Sequence, residues 1–274
     1  MRFADLHVHT ICSDGTLTPA ELVQEALKRK LAAVAIVDHD TTDGLPEALT
    51  AASATDLEVI PGIELTAQHA NQEIHLLGYF LDYRNPQLAE KLQIIRANRI
   101  QRVYQIVDNL KNLGVDLNPQ TVFSISGNST VGRMHIARAL VKEKLVSSIP
   151  EAFAKYIGDR SPAYVLGFRL LVSEAIQLIR EAEGIAVLAH PYLLRNDDLI
   201  SEFKGYGLGG LEVYYPEHSQ SMVNFYLGLA KRLDLLVTGG TDFHGSAKPD
   251  LKLGMIKLPM ELVEKLRQAK NAGS

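Results

Sequence analysis

Nine side chains of this sequence have the types and spacing for metal-assisted chemistry: His7, His9, Asp14, His39, Glu64, His75, His190, Asp242 and His244. In a β-strand, alternate residues share a face, so His7 and His9 point the same way and can both reach one ion. Mixed imidazole and carboxylate donors suit zinc, manganese or iron. The absence of cysteine among them argues against a closed structural zinc site. A carboxylate can bridge two ions, so the set suffices for two or three ions with positions left for water or substrate. Taken singly, His75 or His190 reads as a hydrogen-bonded barrel histidine. The His7/His9 and Asp242/His244 pairs, with ligand types recurring at the ends of later apolar runs, carry the metal reading for the set.

The elements that must position these residues follow from pattern and caps. Phe3 to His9 reads as the first strand, and Thr18-Pro19-Ala20-Glu21 as a capping box that opens a helix to about Lys30. Ala32 to Val37 is an unbroken apolar run, as in a parallel strand covered on both faces, and it ends in Asp38-His39-Asp40. A short helix near 45–54 leads to strands over 57–65 and 73–81. From Asn85 to about Tyr164 the pattern is helical without convincing strands, which reads as an insertion domain. Strand and helix then alternate again: helix 173–183, strand 185–189, helix 197–204, strand 209–214, helix 219–232 and strand 235–237. Repeated βα units suggest a parallel barrel spanning 1–84 and 165–274, with 85–164 inserted and the functional residues at the C-terminal strand ends.

At 274 residues the chain can bury a large core, and 46% hydrophobic with 22% charged residues is ordinary for a soluble protein. A net charge of -4 gives no general footprint for long duplex nucleic acid, so phosphate recognition falls to metals or local groups. The single cysteine, Cys12, reads as a small structural residue and fits a reducing cytoplasm; no apolar run is long enough to span a bilayer.

Asp5-Leu6-His7-Val8-His9, Asp38-His39-Asp40, Pro61-Gly62-Ile63-Glu64, Ala189-His190-Pro191 and Gly240-Thr241-Asp242-Phe243-His244 occur in the order of the PHP (polymerase and histidinol phosphatase) family. The resemblance runs from residue 1 to about 260. The insertion with Gly132-Arg133-Met134-His135 resembles the subgroup of nucleoside 3′,5′-bisphosphate phosphatases and short-RNA 5′→3′ exonucleases. It implies a distorted (β/α)7 TIM-like barrel with a helical, substrate-covering insertion. It also implies a first ion on His7, His9, Glu64 and Asp242, and a second on Asp14, His39 and His244. A third would lie between Glu64, His75 and His190. Thr241 stands where the family usually has serine, and Met134 where the subgroup usually has proline.

The resemblance implies hydrolysis of the 3′-phosphate of nucleoside 3′,5′-bisphosphates, and for such an ester the ligands predict attack on phosphorus by a hydroxide bridging the ions. The same site would act on short 5′-phosphorylated RNA from its 5′ end. Arg133 and His135 are the expected second-phosphate residues; an ordinary helix-start arginine is the alternative for Arg133. His218 is the candidate for protonating the leaving group, against a plain surface-loop histidine. Asp40, with Asp38, would orient His39 or the ligand loops, against a simple strand-end turn. Arg96, Arg99 and Arg102, three apart on the long helix, read as a solvated face, with contact to nucleotide phosphates as the alternative. Two rival functions stay open: a histidinol-phosphate-type phosphomonoesterase, and a metal-bound regulatory module without turnover.

Overall fold

In the computed structural model, which describes residues 2–70, 72–127 and 129–272, the opening run forms β1 (Phe3–Val8). The capping box is made in full: Glu21 N–H donates to Thr18 Oγ1 at 3.1 Å, and Thr18 N–H to Glu21 Oε2 at 2.8 Å. It opens α1 (Pro19–Lys28), which buries Leu22, Val23 and Ala26. β2 (Ala33–Ile36) is buried along its whole length. Val34 and Ile36 pack with α1 and with α2 (Leu45–Ala52), while Ala33 and Ala35 pack with Leu6, Ile60 and Leu77. Cover on both faces is why the run is apolar throughout.

β3 (Glu58–His69) continues past the parallel part of the sheet into a hairpin with β4 (Gln72–Tyr79), pairing Thr66 with His75. The sheet is therefore not all parallel: β4 runs antiparallel to both β3 and β6 (Ile185–Leu188). The link from His69 to Gln72 is too short for the crossover that a parallel neighbour requires.

α3 (Pro86–Asn112) leads from this unit into a second one, Lys91–Phe168. There it packs with α4 (Pro119–Ser126), α5 (Arg133–Lys142) and α6 (Ile149–Ala152), the last continued by a π-turn over Phe153–Ile157. Val103, Ile106, Leu110, Val122, Ile136 and Leu140 form the centre of this unit's own core. α4 was not foreseen, although Asn118-Pro119 is a cap followed by proline at the first helical position; Asn118 Oδ1 accepts the Gln120 N–H at 2.9 Å.

The chain re-enters the first unit (Met1–Glu90 with Arg169–Ser274) through β5 (Leu170–Leu171), which pairs with β3. It continues with α7 (Val172–Glu181), β6, α8 (Leu199–Tyr206), β7 (Gly210–Tyr214) and α9 (Gln220–Arg232). β8 (Leu236–Gly239), β9 (Leu258–Pro259) and α10 (Met260–Ala272) complete it. The strand order is β8-β7-β6-β4-β3-β2-β1-β9. His9 N–H donates to Phe243 O at 2.9 Å and Phe243 N–H to His7 O at 3.2 Å, bringing the segment after β8 beside β1. The result is a nearly closed, barrel-shaped sheet with helices packed on it, as expected for the distorted barrel.

Candidate metal centre

Glu64 is the hub of the site. It lies within β3, 1% exposed, and its two oxygens face five imidazoles. Oε2 is 3.2 Å from His7 Nε2, 3.2 Å from His9 Nε2 and 3.2 Å from His39 Nδ1. Oε1 is 2.8 Å from His75 Nδ1 and 3.3 Å from His190 Nε2. Asp242, just past β8, has Oδ1 3.5 Å from His7 Nε2 and 3.3 Å from His9 Nε2. Asp14, on the loop after β1, is 3.1 Å from His244 Nε2. All nine candidate ligands named from the sequence come together, though they sit on segments as far apart as residues 7 and 244.

Eight of the nine fall into three groups whose ligand atoms lie within 4.8 Å of one another: His7, His9 and Asp242; His9, Asp14, His39 and His244; His39, Glu64 and His75. His190, expected with Glu64 and His75, belongs to none of these groups and joins the array through Glu64, with His39 in its place. His9 and His39 each belong to two groups. Buried nitrogens His9 Nε2, His39 Nδ1 and His75 Nδ1 have no hydrogen-bond partner. A buried polar atom left unpaired is costly, and a metal ion is the partner these atoms suit. Without an ion, protons must balance the carboxylates. Burial disfavours the charged form of His9, but the carboxylates of Asp242 and Glu64 close to Nε2 outweigh it and lift the imidazole to about 9. His75 is lifted to about 10, again against burial, by the charge of Glu64. Burial wins at His39, which falls to about 3 and is neutral. Although burial opposes ionisation, the imidazoles hold Glu64 and Asp14 well below the usual carboxylate range, and Lys248, followed by His244 and His7, does the same for Asp242.

Residues outside the ligand set hold this array in place. Glu212, on β7 and fully buried, accepts from His7 Nδ1–H at 2.8 Å through Oε1 and from His190 N–H at 2.7 Å through Oε2. It fixes the His7 tautomer, so that Nε2 faces the other ligands, and it ties down the His190 turn. His190 sits at φ 27, and Asp40 and Asp242 at φ 52 and 51, left-handed conformations that the surrounding hydrogen bonds must sustain. On the far side of His75, Nε2–H donates to Glu73 Oε1 at 3.1 Å, and Arg169 donates to Glu73 Oε2. Asp5 accepts Thr241 Oγ1–H at 2.6 Å and Thr241 N–H at 2.9 Å, so the position wants a hydroxyl and threonine supplies it as serine would. No sequence signal marks Glu212, an acid inside an apolar strand, except that an unpaired acid there would be expensive. Replacing Glu212 with alanine is expected to weaken metal affinity by about 10–100-fold, while Glu212→Gln, which keeps one acceptor, loses less. Competition for zinc against a coloured chelator measures this, and equal affinities would refute the assignment.

The other candidates lie outside the ligand array. Asp38 accepts Thr10 N–H, Thr10 Oγ1–H and Ser13 Oγ–H at 2.6–2.7 Å, and Asp40 Oδ1 accepts Thr66 N–H at 2.8 Å. Asp38 thus stitches the His39 segment to the loop after β1, and Asp40 stitches it to β3. His218 is 9% exposed and packs among Tyr192, Tyr215 and Tyr226. Its Nδ1–H donates to Val213 O at 2.8 Å, leaving Nε2 buried without a partner, and burial lowers its basicity. In this neutral form Nε2 accepts a hydrogen bond and has no proton to give.

Arg133 and His135 open α5 in the second unit. Arg133 pairs with Asp159 at 2.7 Å, and buried His135 accepts the Gly132 N–H at 3.1 Å through Nδ1. Arg99 donates to Val131 O at 3.2 Å and Arg102 to Val165 O at 2.8 Å. These two arginines, with Arg133, line one tight cleft beside Gly132. The expectation of a freely solvated arginine face therefore does not hold for Arg99 and Arg102; the helix turns them toward the segments 131–133 and 165.

A nearly closed α/β barrel gathering three imidazole–carboxylate groups on its strand ends defines a metal-dependent hydrolase, a class suited to phosphoesters. Residues 5–117 match the family model described as the PHP domain. A 5′-3′ exoribonuclease of Haemophilus influenzae is 34% identical, covering 88% of this chain and 89% of the relative. A 3′,5′-nucleoside bisphosphate phosphatase of Chromobacterium violaceum is 32% identical over 91% of this chain and 90% of the relative. A crystal structure from Bifidobacterium adolescentis, described as a metal-dependent phosphoesterase, superposes with a TM-score of 0.89 at 33% identity. It covers 97% of this chain and 95% of that one. The chain belongs to the PHP family of metal-dependent phosphoesterases. It is a phosphoric ester hydrolase, and none of its described helices is long and apolar enough to cross a membrane.

Proposed function

We propose that this phosphoesterase removes the 3′-phosphate from nucleoside 3′,5′-bisphosphates, and acts on short 5′-phosphorylated RNA from the 5′ end as a related reaction. The observation that carries the substrate is the cleft shared by Arg99, Arg102 and Arg133 at the start of α5. Three guanidiniums around a helix N-terminus suit a phosphate, the feature that separates a bisphosphate from a simple phosphomonoester. The two relatives named for these activities support the same reading. So does the net charge of -4, which favours short substrates over long duplexes.

Two or three ions of manganese, zinc or iron on the nine ligands would activate water and neutralise charge on the reacting phosphate. The protein's part is positional. Glu64 sets the spacing of five imidazoles, Glu212 and Glu73 aim His7 and His75, and Asp38 and Asp40 hold the His39 segment. His218, with its free Nε2 lone pair, accepts a hydrogen bond from a substrate hydroxyl or a water rather than supplying the leaving-group proton. His135 shapes the Gly132–Arg133 turn by accepting its N–H. The single unpaired cysteine fits work in the cytoplasm.

The test is phosphate release, with manganese, from adenosine 3′,5′-bisphosphate beside AMP, histidinol phosphate and a 5′-phosphorylated dinucleotide. Arg133→Ala is expected to lower kcat/KM for the bisphosphate by roughly 10–100-fold, the worth of a charge-assisted pair, and to leave a chromogenic monoester nearly untouched. Turnover of histidinol phosphate alone would overturn the substrate assignment. Absence of turnover on every ester, with metal bound, would favour the regulatory module.

A further inference from the structure

Lys248 lies on the loop after β8, four residues beyond His244. Its Nζ donates to Asp242 Oδ2 at 2.6 Å, the same oxygen that accepts the Tyr215 hydroxyl at 2.9 Å. The other Asp242 oxygen, Oδ1, is the one that faces His7 and His9. The charges of Asp14 and Glu64 also bear on the ammonium, so that carboxylates from all three groups act on it while Asp242 alone among them is in contact.

The lysine is held there by the backbone beneath it. Ser246 N–H donates to Thr16 Oγ1 at 2.9 Å, and Thr16 Oγ1–H donates to His244 O at 3.3 Å, pinning the loop to the segment before α1. Gly245 allows this approach: it sits at φ 66, and a Cβ there would lie 2.0 Å from Thr16 Oγ1. One third of the lysine side chain nevertheless remains exposed, against 8% for Asp242.

An ammonium has three hydrogens to donate, and Asp242 takes one. Among the described residues the other two have no hydrogen-bond acceptor. Once ions share the charge of Asp242, this partly exposed cation is left with donors to spare beside the place where a phosphate must arrive. We propose that Lys248 is a substrate-contact residue of this phosphoesterase, whose ammonium takes a non-bridging oxygen of the reacting phosphoryl group.

In the hydrolysis, the ester P–O bond breaks and a bond forms from phosphorus to the oxygen of water. One water proton goes to the departing oxygen and the other stays with the phosphate. Lys248 keeps its three protons throughout and contributes charge and hydrogen bonds as negative charge spreads over the non-bridging oxygens. This role holds for any phosphoester and does not depend on the nucleotide assignment.

The test compares wild type, Lys248→Met and Lys248→Arg, all manganese-loaded. Metal content is read by elemental analysis, binding of inorganic phosphate by calorimetry, and turnover with a chromogenic phosphoester. Lys248→Met is expected to keep the wild-type metal content and lose at least about tenfold in phosphate affinity. Lys248→Arg, which keeps the charge, should stay within a few-fold of wild type. Unchanged phosphate affinity in Lys248→Met would overturn the proposal. So would loss of metal in step with loss of activity, because the lysine would then act only by positioning Asp242.

Discussion

Glu64→Gln is expected to lower phosphoester hydrolysis by about 10³–10⁴-fold, since the charge stabilisation that ions supply is worth several kcal/mol and each decade of rate costs about 1.4 kcal/mol. The substitution keeps the shape of the side chain and removes the charge that His7, His9, His39, His75 and His190 share. An amide has one acceptor oxygen and two N–H donors, so half of the bridging position becomes repulsive to a cation. Elemental analysis should show ions missing, beyond any simple loss of rate.

The same variant carries a second signature in metal-stripped protein. His9 and His75 are lifted to about 9 and 10, above the ordinary imidazole value near 6.5. A raised folded-state pKa contributes stability that is full below about 6.5 and disappears as pH rises through about 9–10. In Glu64→Gln the main lifting charge at His75 is gone, and at His9 only that of Asp242 remains. The variant should therefore be less stable than wild type by about 3–5 kcal/mol at pH 6, as when one partner of a buried pair is removed. At pH 10 the gap should shrink. Urea unfolding of both stripped proteins at the two pH values measures it; an equal gap would show that Glu64 acts through packing instead of charge.

Gly240→Ala is the second change expected to be severe. A Cβ at this position would lie 2.3 Å from His7 N and 2.4 Å from His7 Cβ, distances that no packing tolerates. The clash falls where the segment after β8 runs beside β1, so relief requires moving His7 or Asp242, both candidate ligands. Overpacking of this kind costs about 1–3 kcal/mol and sometimes more. Metal affinity should fall further than stability alone accounts for, because the displaced backbone belongs to a ligand. Thermal unfolding with and without zinc separates the two effects: the stabilisation given by zinc in wild type should be largely lost in Gly240→Ala. Retention of that stabilisation would show that the strand junction yields elsewhere.

Much of the frame could be read locally. The period of two through β1, the capping box at Thr18 and the apolar run ending at His39 each obey rules that act over a few residues, so strands and helices there emerge where expected. Ligand types at successive strand ends were visible for the same reason, because a barrel places those ends together whatever the details of its packing. α4 and α10 were missed although their signals are local: a cap and proline at Asn118-Pro119, and Val263 and Leu266 spaced along one face.

The sequence by itself determined the donor types, the strand and helix alternation and the helical character of the insertion. Tertiary structure alone decided which donors share an ion-sized space and what holds them. Glu212 meets His7 across 205 residues, Thr241 meets Asp5 across 236, and Arg169 reaches Glu73 across 96. The packing of His218 against Tyr192, from the segment after β6, is of the same kind. Each depends on the closing of one sheet upon itself, and no local pattern records which distant strand will lie beside which.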